Sequence, residues 1–275
     1  MPQRKIIVAV APVAHMHKVL PAGLKNPVRS EEVAAETIAC WKAGASLVHL
    51  HVRDEEGTQV AGLETFSRTI DLIRQESDII IQGSTGGFST LSLDERSVSV
   101  HEPRVQMGAL NMGSTNFEDG VYINTWDDIR YWSEKMKKLD VVPELEIFDL
   151  SMIGSSVVLA NEGVLDYPLN FNLSLGFHGA LSATADNIFY LKNAMPTRSS
   201  WSFLEEGMQD FAMLAVAIGC GASGIRVGFE AGFHAVPGKP CSNVQLMEHA
   251  VALVRQMGCE VATAQEAHAM LHMRK

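Results

Sequence analysis

Val48-His49-Leu50-His51-Val52-Arg53-Asp54 alternates apolar and polar residues at every step. Along an extended strand successive side chains point to opposite faces, so His49, His51 and Arg53 share one side while Val48, Leu50 and Val52 share the other. If the polar side is the inside of a barrel near its mouth, two imidazoles set so close together are costly to bury unless something satisfies their lone pairs. A divalent metal ion does so. The rival reading is a pair of hydrogen-bonded histidines on a solvated strand; the apolar opposite face and the early position in an alternating chain favour the metal.

Outward from this strand the segment types alternate along the whole chain. β-rich runs occur at residues 6–11, 47–52, 78–82, 105–112, 141–148, 169–175, 200–203 and 224–227, with helical or mixed stretches between them. Ser30 reads as an N-cap with Glu31 and Glu32 in the first helical turn, and Gly44 stops that helix. Residues 63–75 carry helical periodicity at Leu63, Phe66, Ile70 and Ile73. Thr263 and Glu266 have capping-box spacing, which predicts a last helix lying against the outside of the fold. Eight strands alternating with helices predict an α/β protein built as a single (β/α)8 TIM barrel, one domain over residues 1–275.

Composition narrows the function. Hydrophobic residues make up 47% of the 275 and charged residues 20%, enough to bury a large core. A net charge of -10 repels phosphate backbones, which argues against nucleic-acid binding. No stretch reaches 18 uncharged apolar residues, so no membrane span is expected. Cys40, Cys220, Cys241 and Cys259 are scattered without paired spacing and read as structural thiols of a cytoplasmic protein.

Three further constellations carry chemistry. Gly83-Ser84-Thr85-Gly86-Gly87 follows the third β run; backbone amides there, with Ser84 and Thr85, can hold a carboxylate or phosphate, although a tight turn alone would read the same. Glu144 and Glu146 share one face of the fifth strand, where either can serve as a base or pair with a cation. Arg226 and Glu230 lie at the end of the last strand, which in a closed barrel stands beside the first. Glu230 is therefore a candidate third ligand, and spacing alone leaves His15, His17, His178 and His234 open as rivals.

Taken in order, Ser30-Glu31-Glu32-Val33-Ala34, the stretch from Gly44 to Arg53, Ser84-Thr85-Gly86-Gly87, Pro143-Glu144-Leu145-Glu146-Ile147-Phe148, Ile225-Arg226-Val227-Gly228-Phe229-Glu230 and Glu260-Val261-Ala262-Thr263 resemble the β-keto acid cleavage enzymes, the family of the 3-keto-5-aminohexanoate cleavage enzyme. The resemblance implies a (β/α)8 barrel, a zinc or other divalent ion held by His49, His51 and Glu230, and a homotetramer. It implies a reaction in which a β-keto acid and acetyl-CoA give acetoacetate and a new acyl-CoA. Ser84, Thr85, Gly86 and Gly87 match the loop that holds the substrate carboxylate, and Arg226 and Glu146 match catalytic positions.

This sequence departs from the family pattern where an aspartate usually follows the zinc-binding glutamate: Ala231 stands there. That aspartate pairs with the arginine as general base, so either Glu146 or a metal-bound hydroxide has to stand in, and the substrate can differ from the usual ones. Two other readings remain at this level, a metal-dependent TIM-barrel hydrolase and a catalytically degenerate barrel that binds a metal and a small acid.

Overall fold

A computed structural model of the protein describes residues 3–16, 18–86, 91–117 and 120–274. Eight parallel strands, Lys5–Val10, Leu47–Leu50, Ile80–Ser84, Met107–Asn111, Val142–Ile147, Leu169–Leu175, Ser199–Glu205 and Gly224–Val227, pair in chain order. The eighth pairs with the first in the register Ile7↔Gly224 to Val10↔Val227, which closes the barrel. The TIM-barrel expectation is met, with a helix between each consecutive pair of strands.

The alternation of each strand divides its side chains between two environments. Ile6, Val8, Val48, Ile81, Leu145, Phe171, Phe203 and Ile225 point outward into the large core beneath the helices. The inward positions make a second, smaller core of Ile7, Ala9, Leu47, Ile80 and Met107 near the strand starts. Ala267 and Leu271, in and just after the last helix Ala264–Met270, join this inner core. That helix therefore plugs the lower end of the barrel instead of lying on its outer wall as the sequence suggested, because its apolar face complements the inner core. Thr263 caps it as expected, accepting from the Glu266 amide.

Other element readings also need correction. Ser30 is the first helical residue and Arg29 precedes it as the cap; the Ser30 hydroxyl donates instead to Glu55 Oε1 at 2.9 Å. The second strand ends at Leu50 and not at residue 52, because the chain turns out of the sheet and Arg53 bridges back to Gln59.

Above the inner core the barrel interior is polar. His49, Gln82, Ser84, Asn111, Glu144, Asn170, Asn172, Ser174 and Arg226 are buried, all from strand positions that face inward. Most closed barrels fill this volume with branched apolar side chains. Buried polar groups have to satisfy one another or a ligand, so this interior is the candidate site.

Candidate active site at the barrel mouth

Three elements deliver the cluster that the sequence picked out. His49 stands on the second strand and His51 just beyond its end, where the chain begins to turn. Glu230 arrives from the loop after the eighth strand. Gly228 allows this: its φ is +124°, and a Cβ there would sit 2.4 Å from the Ala11 carbonyl oxygen. Only a glycine lets the chain pass so close to the first strand. The Glu230 amide then donates to the Ala11 carbonyl at 3.2 Å, and the Phe229 amide donates to Asn243 Oδ1 at 2.9 Å. Lys18 donates to the Glu230 carbonyl at 2.6 Å and to Glu206 at 2.8 Å, clamping the loop from the far side.

One ligand atom from each of His49, His51 and Glu230 lies within 4.8 Å of the other two. His49 Nε2 and His51 Nε2 are 3.3 Å apart, and Glu230 Oε1 is 2.9 Å from His51 Nε2. Glu230 Oε2 is buried without a hydrogen-bond partner among the described residues. Two facing ring nitrogens and an unsatisfied carboxylate oxygen form a donor set that suits a divalent cation. The other histidines His15, His178 and His234 do not join the cluster among the described residues, and His17 lies outside them.

The protonation states agree with that fit. Burial pushes the His49 imidazole down to about 3, so the ring is neutral near pH 7. Burial works against the Glu230 charge, but the His49 and His51 rings and Arg226 hold its carboxyl well below the usual range. Neutral imidazole and ionised carboxylate are the forms that bind metal.

Beside this cluster lies an acid–arginine pair. Arg226 Nη2 donates to Glu146 Oε1 at 3.5 Å, and Nη1 stands 3.9 Å from Glu144 Oε2. Burial disfavours the Arg226 charge, yet Glu230, Glu146 and Glu144 together raise its pKa. Glu146 goes the other way: burial first, then repulsion from Glu144 and Glu230, outweigh Arg226 and push its carboxyl up to about 7. The sequence left Arg226 short of an acid at Ala231; across the barrel Glu146 and Glu144 supply two. Ala231 itself is buried, and its carbonyl accepts from the Gly207 amide.

The end of the third strand borders the same space: Gly83 and Ser84 continue that strand past Gln82, where the sequence reading ended it, and the loop begins at Thr85. A Cβ on Gly86 would lie 3.7 Å from His51 Cε1 and 2.9 Å from the Tyr122 hydroxyl. Ser84 Oγ accepts from the Gly86 amide at 2.9 Å, whereas Thr85 turns its hydroxyl to the Ala109 carbonyl at 2.6 Å. Ser84 and Gly86 thus stand at the cluster, Thr85 is engaged in the scaffold, and Gly87 falls outside the described residues. Sequence reasoning named Arg226, whose Nη1 has no hydrogen-bond partner among the described residues, but missed Asn111, whose buried Nδ2 has none there either. Asn111 pairs in register with Glu146, a neighbourhood that a lone asparagine in the sequence does not announce.

Residues 5–273 match the family model for the beta-keto acid cleavage enzyme. The chain belongs to that family. A 3-keto-5-aminohexanoate cleavage enzyme of Acetoanaerobium sticklandii is 37% identical over 252 residues, covering 90% of this chain and 92% of the relative. A 3-oxoadipate:acetyl-CoA acetyltransferase of Cupriavidus necator is 31% identical over 251 residues, covering 89% and 87%. Among solved structures, a ternary complex of ObcA with a C4-CoA adduct and oxalate superposes with a TM-score of 0.74 at 19% identity, over 90% of this chain and 67% of that one. At that identity the likeness speaks for the barrel alone. No helix of this beta-keto acid cleavage family member is long and apolar enough to cross a membrane, among the described residues.

Proposed function

We propose that this protein is a metal-dependent β-keto acid:acetyl-CoA acyltransferase, converting a β-keto acid and acetyl-CoA into acetoacetate and the acyl-CoA of the remaining fragment. The observation that carries this reading is the convergence of His49, His51 and Glu230 beside Glu146 and Arg226 at one end of the barrel. His49, His51 and Glu230 would hold a zinc or similar divalent ion, which when bound supplies Lewis-acid polarisation of the substrate's keto group.

The chain's own residues do the rest. A β-keto acid carries an acidic methylene between its two carbonyl carbons, and removing one of those protons needs a base poised near neutrality. Glu146 fits, because a carboxyl titrating near 7 can take a proton at physiological pH and return it later. Arg226 holds Glu146 in place, and its Nη1, 3.9 Å from Glu144 Oε2 and without a hydrogen-bond partner among the described residues, can donate to a substrate oxygen. Asn111 Nδ2 offers a second unused donor. Ser84 and the Gly86 backbone border the place where the substrate carboxylate would sit. The acyl group leaves on CoA as the carboxymethyl fragment joins the acetyl group, so every atom of both reactants is accounted for.

The test is a panel of β-keto acids incubated with zinc-loaded protein, with and without acetyl-CoA, and assayed for acetoacetate. Acetoacetate formed only with acetyl-CoA, and lost on chelation, is the expected result. Cleavage without acetyl-CoA would make the protein a hydrolase, and no turnover across the panel would leave a binding barrel; either outcome rejects the proposal.

A further inference from the structure

Beneath the cluster runs a buried chain of hydrogen bonds that the proposed reaction does not use. His49 Nδ1 meets Gln82 Oε1 at 2.6 Å, and Gln82 Nε2 donates to Glu144 Oε2 at 2.9 Å. From the other side the Ser174 hydroxyl donates to Asn172 Oδ1 at 2.7 Å, Asn172 Nδ2 to Ser202 Oγ at 2.7 Å, and the Ser202 hydroxyl to Glu144 Oε1 at 3.2 Å. Both arms therefore end on one carboxylate. Gln82 is fully buried and Glu144 and His49 nearly so.

The direction of these bonds decides something about His49. A carboxylate only accepts, so Glu144 fixes which end of the Gln82 amide faces it: the NH2 end. The carbonyl end then has to face His49, and a carbonyl accepts only. His49 must carry its ring proton on Nδ1, which leaves Nε2 as a bare lone pair. The opposite tautomer would place a proton on Nε2, the atom 3.3 Å from His51 Nε2 and 3.8 Å from Glu230 Oε2, filling the position a metal would take. Turning the Gln82 amide over would set its carbonyl against the Glu144 carboxylate, two acceptors at hydrogen-bond distance with no proton between them.

We propose that Gln82, braced by Glu144, is a positioning residue that locks His49 in its Nδ1-protonated tautomer and so presents Nε2 to a divalent ion. The metal half of this statement rests on the reading given under Proposed function; the tautomer half stands on the protein alone. Partners behind a ligating histidine commonly change metal affinity by about 10- to 100-fold when removed.

The experiment uses the full chain with 15N-labelled histidine, and long-range proton–nitrogen correlation on the metal-free protein at pH 7. The wild type is expected to show His49 protonated at Nδ1. Gln82→Leu is expected to lose that single tautomer and to bind zinc roughly 10- to 100-fold more weakly in competition with a chromophoric chelator. The paired exchange Gln82→Glu with Glu144→Gln keeps the number of donors and acceptors, and should recover both the tautomer and an affinity within about threefold of wild type, well inside the loss expected for a missing partner. Gln82→Leu keeping the Nδ1 tautomer would overturn the proposal, as would a folded exchange variant that fails to restore it. If Gln82→Leu does not give a cooperative melt, the exchange variant decides by itself. A wild type that binds no zinc would sink the metal reading, while the tautomer measurement would still judge the role of Gln82.

Discussion

In the proposed reaction Glu146 is the single residue on which most depends. Its carboxyl sits near 7 in the folded protein, so the basic form is absent well below that pH and present above it. If Glu146 is the base, kcat/KM rises as pH increases through about 7 and levels off beyond. Glu146→Gln should flatten that limb and lower the rate by about 10²- to 10⁴-fold, the usual contribution of a positioned base; an unchanged pH profile in that variant would remove Glu146 from the mechanism. Ser84→Ala should act mainly on KM, raising it about tenfold as a hydrogen bond near the carboxylate is lost, whereas a pure fall in kcat would place Ser84 elsewhere. Alternation put His49 and His51 on one face and closure made Glu230 a candidate beside them, while spacing left His15, His17, His178 and His234 open and only the resemblance to the family singled Glu230 out. Gln82, Asn111 and Lys18 were not legible in the sequence. Their residue types are common, and their roles come from neighbours distant in sequence: Gln82 lies opposite His49 and Asn111 opposite Glu146 in the strand register, and Lys18 meets Glu206 and the Glu230 carbonyl from the loop after the first strand.

Among the elements, the loop after the eighth strand is the most exposed to a single change. Gly228 holds a positive φ against the Ala11 carbonyl, so Gly228→Ala must push the loop off the first strand. The expected cost is about 2 kcal/mol or more, from backbone strain and the clash, and the displaced Glu230 should bind metal more weakly. Thermal unfolding and metal titration of this variant check both; wild-type values in the two assays would mean that the loop is not the lever. Strand boundaries show the same dependence on surroundings. The sixth strand, Leu169–Leu175, was readable to its ends, since alternate large apolar residues fill its outward face throughout. The second was read too far because Val52 continues the alternation past the point where the chain leaves the sheet. The last helix was found by its cap, but its place inside the barrel floor depends on Ala267 and Leu271 meeting residues from five other elements' worth of chain, which no local pattern encodes.

On the scale of the whole molecule, the barrel separates stability from function along its axis. An apolar plug fills the lower end and a polar interior rises from it to the cluster. A bound ion would tie the second strand to the loop after the eighth, far apart in sequence but adjacent through closure. Binding to the folded state alone stabilises it by about 2.7 kcal/mol at a free-metal concentration 100 times Kd. For a chain of this size that corresponds to a rise in Tm of roughly 5 °C or more, and chelation should reverse it. The decisive experiment is elemental analysis, after extensive dialysis, of the purified protein and of His49→Ala, His51→Ala and Glu230→Ala. About one divalent ion per chain is expected in the wild type, with loss of that ion in all three variants that stay folded. Equal metal content in wild type and variants, or none in the wild type after incubation with zinc, would rule out the proposed metal site.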